Sequence, residues 1–230
     1  MALIGEGVLI IWHGIAPEGD LEMIRWHDRE HVAERVGIPG FLRGRRYDCA
    51  DRRLEYLDLY ETATVETVRS APYVLRLNFP TPWTRRVLPH FRNTVRLGCR
   101  VVATVGRGQG GALVSVRARP AAGSAAEFAR WLREVAPAAL LDRTGVVGVH
   151  LLETVPETTR VKTAEGKLKG GEVGAAEEPW PWVLLVETGA VDFAQALAAE
   201  DLAPARLAER GGDAGALTLA HRLQLSMDRA

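Results

Sequence analysis

Residues 26 to 47, Trp-His-Asp-Arg-Glu-His-Val-Ala-Glu-Arg-Val-Gly-Ile-Pro-Gly-Phe-Leu-Arg-Gly-Arg-Arg-Tyr, crowd two histidines together with several carboxylates and arginines. Histidine changes charge near neutral pH, so this stretch has the means for general acid–base chemistry. On a helix, steps of three and four return to one side, which aligns His27, Glu30, His31 and Glu34 as a polar stripe. Met23, Trp26 and Ala33 form an apolar stripe beside it, expected to contact a sheet. For His27 and Glu34 a solvated face with incidental charge pairs is the plainer reading; for His31 a cleft-facing role stands beside it. The run His27-Asp28-Arg29-Glu30-His31 also fits H-x-x-E-H, in which two histidines one turn apart grip zinc. The helix is short and no further Glu-bearing helix offers a third ligand, so no metal site is expected.

These residues need elements to position them. An apolar run over residues 7 to 15 predicts a strand covered on both faces. It carries Trp12 and His13, which an extended chain points to opposite sides. His13 is either a satisfied core residue or a ligand contact. Asp20 is the expected N-cap of a helix running to about Val36 and ended by Gly37, Pro39 and Gly40. Residues 41–49 and 54–61 alternate as two strands about a turn at 50–53. Thr64 is expected to cap a second helix that ends before Pro80. An irregular stretch with Pro82, Trp83 and Pro89 follows, then a strand over residues 94–105. The order βαββαβ is a ferredoxin-like unit.

The second half repeats the first. Adding 105 carries Val8 onto Leu113, Trp26 onto Trp131, Gly40 onto Gly145 and Arg45 onto His150 without a gap. Beyond an insertion within residues 153–179 the offset becomes 126, and Glu61-Thr62-Ala63-Thr64-Val65-Glu66 matches Glu187-Thr188-Gly189-Ala190-Val191-Asp192. The predicted organisation is therefore residues 1–108 and residues 109–230, joined by the glycine-rich residues 106–111. The insertion has few large apolar groups and reads as a solvated extension, with a lid as the alternative. The halves differ in chemistry: His13, His27, Glu30 and His31 become Ala118, Leu132, Val135 and Ala136. One site per chain, in the first half, is the natural inference.

One such unit leaves a sheet face bare, and two packed sheet to sheet cover both. Here the chain resembles the dimeric α+β barrel superfamily in a single-chain tandem form. Through Trp26-His27, Glu30-His31, Pro39-Gly40-Phe41 and the arginine-rich strand from Arg43 to Tyr47 it resembles the EthD-like families. The resemblance implies an α+β fold whose relatives include monooxygenases without metal or flavin, cyclases, isomerases and haem proteins, so fold leaves the chemistry open. Tyr56, Asp58 and Tyr60 share one face of the third strand, expected to look into the barrel with Arg43, Arg45 and Tyr47. Such an interior is either paired internally or hollow for a small anionic or phenolic ligand. On this reading His31 is an acid or base positioned by Glu30 or Asp58. Trp12, His13, His27, Arg43, Arg45, Tyr47, Tyr56 and Tyr60 are candidate ligand-binding residues. A small aromatic, lactone or polyketide-like ligand is expected. No cofactor is expected; haem on His27 or His31 is the alternative, and a non-catalytic binding protein is the competing class.

Composition narrows the field. Twenty-nine basic residues balance twenty-nine acidic ones, which argues against a nucleic-acid or membrane-surface partner. All the basic residues but Lys162, Lys167 and Lys169 are arginine, and those three fall in the insertion. No apolar run reaches the roughly 20 residues of a membrane span, and a cytoplasmic monomer or homodimer is the expectation. Cys49 and Cys99 read as reduced, buried thiols.

Overall fold

In the computed structural model, residues 3–159, 163–169 and 180–229 are described. The apolar and alternating runs form strands β1 (Gly7–Ile15), β2 (Phe41–Cys49), β3 (Glu55–Thr62) and β4 (Phe91–Gly106) in the first half. The second half supplies β5 (Ala112–Ala118), β6 (Val146–Thr154), β7 (Trp182–Thr188) and β8 (Leu217–Asp228). All pairings are antiparallel, and the order β1-β3-β2-β8-β5-β7-β6-β4 closes into a barrel. Each half contributes the ferredoxin-like order, β4-β1-β3-β2 and β8-β5-β7-β6. The two long strands make the closure: β4 pairs with β1 at its start and β6 at its end, and β8 likewise with β5 and β2. No sheet edge is left open. The fold is the α+β architecture of two ferredoxin-like units joined as one barrel.

The helices pack outside. In the first half the chain turns from α1 (Asp20–Trp26) through a π turn at His27–His31 into α2 (Val32–Val36). The second half has the same arrangement, with α5 (Ala125–Arg130), a π turn at Trp131–Val135 and α6 (Ala136–Leu141). Strand β6 occupies the residues that the offset of 105 assigns from β2.

Local differences from expectation have local causes. Asp20 is the first residue of α1 rather than its cap, because a 3-10 turn at Pro17–Gly19 enters the helix first; its carboxylate accepts from the Tyr56 hydroxyl at 2.5 Å instead. The expected helix from Thr64 is a 3-10 turn at Val65–Arg69 followed by α3 (Ala71–Asn78), since Pro72 suits only a helix start. The expected irregular stretch contains α4 (Pro82–Val87), capped by the Thr81 hydroxyl accepting from Thr84 N at 3.0 Å. Within the insertion lie α7 (Pro156–Thr159) and α8 (Ala164–Leu168); its residues 160–162 and 170–179 lie outside the described residues.

One expectation is overturned. The register pairs Tyr56 with His13, Asp58 with Ile11 and Tyr60 with Leu9, while Leu57 faces Trp12 and Leu59 faces Ile10. Cross-strand partners share a face, and Trp12, Leu57 and Leu59 belong to the apolar cluster with Val8, Ile10, Leu113, Leu152 and Leu185 inside the barrel. Tyr56, Asp58 and Tyr60 therefore look out toward the helices. Eight strands enclose just enough room for side chains, and the leucines of β3 use it.

No helix among the described residues is long and apolar enough to cross a membrane.

Candidate functional site

The sheet separates the chemistry-bearing residues into two compartments. The first lies between the first-half sheet and the helical segment of residues 20–36. Residues four apart on a helical turn are neighbours on one face. The rings of His27 and His31 accordingly stack at 5.2 Å with planes 6° apart, and Trp26 packs against His31 at 4.0 Å. This turns His27 inward to 1% exposure, against the solvated reading of its helix face. Ala33, expected on the sheet side, is exposed. Close approach of helix and sheet requires Gly44, where a Cβ would stand 2.8 Å from Val32 and 3.0 Å from Tyr60.

From the sheet, His13 and Asp58 rise to meet the helix. Asp58 Oδ2 lies 3.2 Å from His13 Nε2, and Oδ1 lies 3.6 Å from His27 Nδ1. His13 also stacks on Phe91 at 4.3 Å. Burial raises the Asp58 pKa, but His27, the hydrogen-bonding His13 and Arg46 outweigh it and hold the carboxyl below its ordinary range. Burial lowers His27 to about 4 despite the opposing pull of Asp58. Burial, Arg35 and His27 keep His31 well below its ordinary value. Both stacked imidazoles are therefore neutral around an ionised Asp58. His27 Nδ1, His31 Nδ1, Asp58 Oδ1 and the Tyr60 hydroxyl are buried without a hydrogen-bond partner. Buried polar atoms are normally satisfied; here His27 Nδ1 and Asp58 Oδ1 face each other at 3.6 Å without a hydrogen bond, and His31 Nδ1 and the Tyr60 hydroxyl have none either.

Glu30 does not join this group. Its Oε1 accepts from the Thr81 hydroxyl at 2.5 Å, tying the helical segment to α4. Trp26 does the same, donating to Thr84 Oγ1 at 3.2 Å.

The second compartment is the barrel interior, which holds Trp12, Arg43, Arg45 and Tyr47. Arg43 forks onto Glu61 at 2.7 and 3.0 Å, and Arg45 bridges Glu61 at 3.0 Å and Glu187 at 2.5 Å while donating to the Tyr47 hydroxyl at 2.8 Å. Gly110 N donates to Glu187 at 3.0 Å, so the glycine-rich linker helps satisfy the network. This is internal pairing between the halves, with glutamates in place of the expected aspartate. Trp12 Nε1 donates to Ser115 Oγ at 3.1 Å, which lies 2.8 Å from His221 Nε2. Burial and the nearby arginines hold His150 and His221 at about 3. The candidate residues thus divide: His13, His27, His31, Tyr56, Asp58 and Tyr60 come together outside the sheet, and Trp12, Arg43, Arg45 and Tyr47 inside it.

Sequence reasoning missed Phe91, the aromatic wall, and Lys169, whose Nζ stands 5.4 Å from the Phe91 ring centre. The confinement of lysine to the insertion was the available signal. Surface hollows of about 650 Å³ beside Leu75 and Phe79, and about 820 Å³ beside Trp131 and Arg206, lie elsewhere. In the former Glu34 and Arg76 satisfy each other at 3.2 Å, so the buried histidine cluster carries the functional reading. Among the described residues no group of histidine, cysteine and carboxylate side chains has the arrangement of a metal site.

No protein-family model matches the sequence, and no curated protein does. Solved structures do match in fold. An anthrone oxidase-like protein superimposes with a TM-score of 0.65 at 10% identity, covering 100% of this chain and 96% of its own. A candidate monooxygenase from Fusobacterium nucleatum gives 0.59 at 10% identity, with 99% and 97% covered. Another from Lactobacillus acidophilus gives 0.57 at 8%, with 98% and 97% covered. Over its whole length the chain shares the ferredoxin-like α+β barrel fold of these proteins.

Proposed function

We propose that the protein binds a small aromatic or enolisable molecule in the first-half compartment and exchanges a proton with it through His31. The observation carrying this reading is the group of buried polar atoms without a hydrogen bond: His27 Nδ1, His31 Nδ1 and Asp58 Oδ1, whose side chains or ring neighbours meet the aromatic rings of Trp26 and Phe91, with the Tyr60 hydroxyl farther along β3. Rings supply a surface for a planar ligand, and the polar atoms supply its orientation. His31 is the most exposed of the histidines there, at 8%, and so the first a ligand meets. A buried neutral imidazole takes a proton most readily when an anion forms beside it, which couples protonation of His31 to ionisation of the ligand. Asp58 and His13 are positioning residues that hold His27 under the stack. The fold shared with an anthrone oxidase-like protein and candidate monooxygenases supports a chemistry of this kind, as does the EthD-like motif at residues 26–47. On this reading the chain is a duplicated unit, residues 1–108 and 109–230, of which the first kept the site.

A thermal-shift screen of phenols, lactones and polyketide-like acids tests this, followed by mass spectrometry of each binder. A ligand that raises the melting temperature of wild type and is chemically altered, with turnover abolished and the melting temperature of the free protein nearly retained in His31→Ala, is the expected result. An unaltered ligand makes this a binding protein. Full turnover in His31→Ala removes His31 from the chemistry.

A further inference from the structure

The insertion of the second half reaches across to the first-half site. Its first residues lie on the outer face of β4: Val155 N donates to Gly98 O at 2.9 Å, and Arg96 donates to Thr158 O at 2.6 Å. Gly98 leaves the room, since a Cβ there would stand 2.1 Å from the Thr158 hydroxyl oxygen. Farther on, Ala164 N donates to Asn78 Oδ1 at 3.1 Å. Glu165, 6% exposed, accepts from the buried Arg35 at 2.5 Å. Leu168 packs on the cluster of Ile15, Met23, Trp26 and Phe91. The segment therefore roofs the histidine compartment and delivers Lys169 to Phe91, whose ring also meets those of His13 and Trp26.

We propose that Lys169 is the anion-recognising residue of this site, and that the ligand class is a single planar ring system bearing an ionisable oxygen, a phenol or enol. The proposal rests on the reading that a small molecule binds at the histidine cluster. The other cations there are committed. Arg35 pairs with Glu34 at 3.0 Å and with Glu165, Arg46 pairs with Asp28 at 2.8 Å, and Arg96 holds the Thr158 carbonyl. Lys169 is half-buried, forms no ion pair among the described residues, and lies within electrostatic reach of His31 and Asp58. An ammonium partly withdrawn from water whose carboxylates, Glu165 and Asp58, act only from beyond ion-pair distance is costly, and burial lowers its pKa to about 8 despite their pull. A ligand oxygen that loses its proton supplies the missing charge. Proton balance is simple: the O–H bond breaks, the proton passes to His31, and the oxygen anion stays beside the Lys169 ammonium.

Two probes of one shape test this: 4-nitrophenol, which ionises, and 4-nitroanisole, which cannot. Affinities are measured by calorimetry, and the visible phenolate band is followed at a pH below the pKa of the free phenol. Wild type and Lys169→Arg are expected to bind 4-nitrophenol about tenfold more tightly than 4-nitroanisole and to develop the phenolate band. In Lys169→Met the two affinities converge and the band is lost. Lys169→Gln serves the same comparison if the methionine variant melts early. A lysine-free variant that keeps both the preference and the band overturns the role of Lys169. If wild type binds both probes equally, the anionic ligand class falls while the site stands, and if it binds neither, the site reading falls as well.

Discussion

At the scale of single residues, Asp58 organises the compartment, because its two oxygens face His13 and His27 from the sheet. Asp58→Asn keeps the shape but removes the charged acceptor that these rings face. It should destabilise the protein by about 1–3 kcal/mol at neutral pH, as expected for disturbing a buried charge-assisted contact; urea unfolding measures it, and an unchanged midpoint would mean that Asp58 is not ionised. The identities of His13, His27, His31 and Asp58 were legible in the sequence because ionisable residues stand out on otherwise apolar elements. Their direction was only half legible. Alternation shows that Leu57 and Leu59 oppose Tyr56, Asp58 and Tyr60, but not which set faces inward; that is decided by pairing with β1 across the sheet. Glu30 is next to His31 in sequence but points about 100° away from it on a helix, toward Thr81.

At the scale of elements, the site depends on two packing arrangements. Helix and sheet approach closely only where Gly44 leaves space. Gly44→Val should lower stability by about 1–3 kcal/mol through overpacking against Val32 and Tyr60, measured by thermal or denaturant unfolding. A neutral effect would show that the helix sits farther from the sheet. The arm of residues 163–169 is held by the Arg35–Glu165 pair. Removing one partner of a buried pair usually costs ~3–5 kcal/mol, but a docked arm can release locally instead of unfolding the whole protein. Glu165→Ala should therefore speed proteolysis within residues 163–169 while global unfolding changes little, and cleavage at the wild-type rate would show that the pair does not hold the arm. The sequence offered a lid only as the alternative to a solvated extension, since a polar insertion gives no signal of where it docks and Glu165 meets a partner 130 positions away.

At the scale of the whole molecule, the repeat in the sequence carried the architecture, because matched offsets place β2 with β6 and β3 with β7. Barrel closure was implied by the resemblance, while the particular pairings of β2 with β8 and β4 with β6 came only from the structure. Arg45, linking Glu61 of one half to Glu187 of the other, is buried with both partners. Arg45→Met should cost ~3–5 kcal/mol, since it strands two carboxylates in the interior; denaturant unfolding checks this, and a loss under ~1 kcal/mol would mean that water or other donors already serve them. Acid should also act on both compartments. His27 at about 4 and His150 and His221 at about 3 lie below the ordinary 6.5, as does His31. Below pH about 6.5 the unfolded chain takes up protons that the folded chain refuses, so stability falls as pH falls. His27, His150 and His221 then each contribute ~1.4 kcal/mol of loss between about pH 7.5 and 5.5, and His31 adds in the same direction, which urea titrations at the two pH values measure; equal stabilities would show that these rings are not buried as neutral groups. The most direct test of where the ligand binds is the imidazole proton–nitrogen NMR spectrum, with each histidine assigned, recorded as a phenolic ligand is added. The predicted result is movement of the His13, His27 and His31 signals while His150 and His221, behind the sheet, stay fixed. Movement confined to His150 or His221, or no movement at ligand saturation, would contradict a site under the first-half helix.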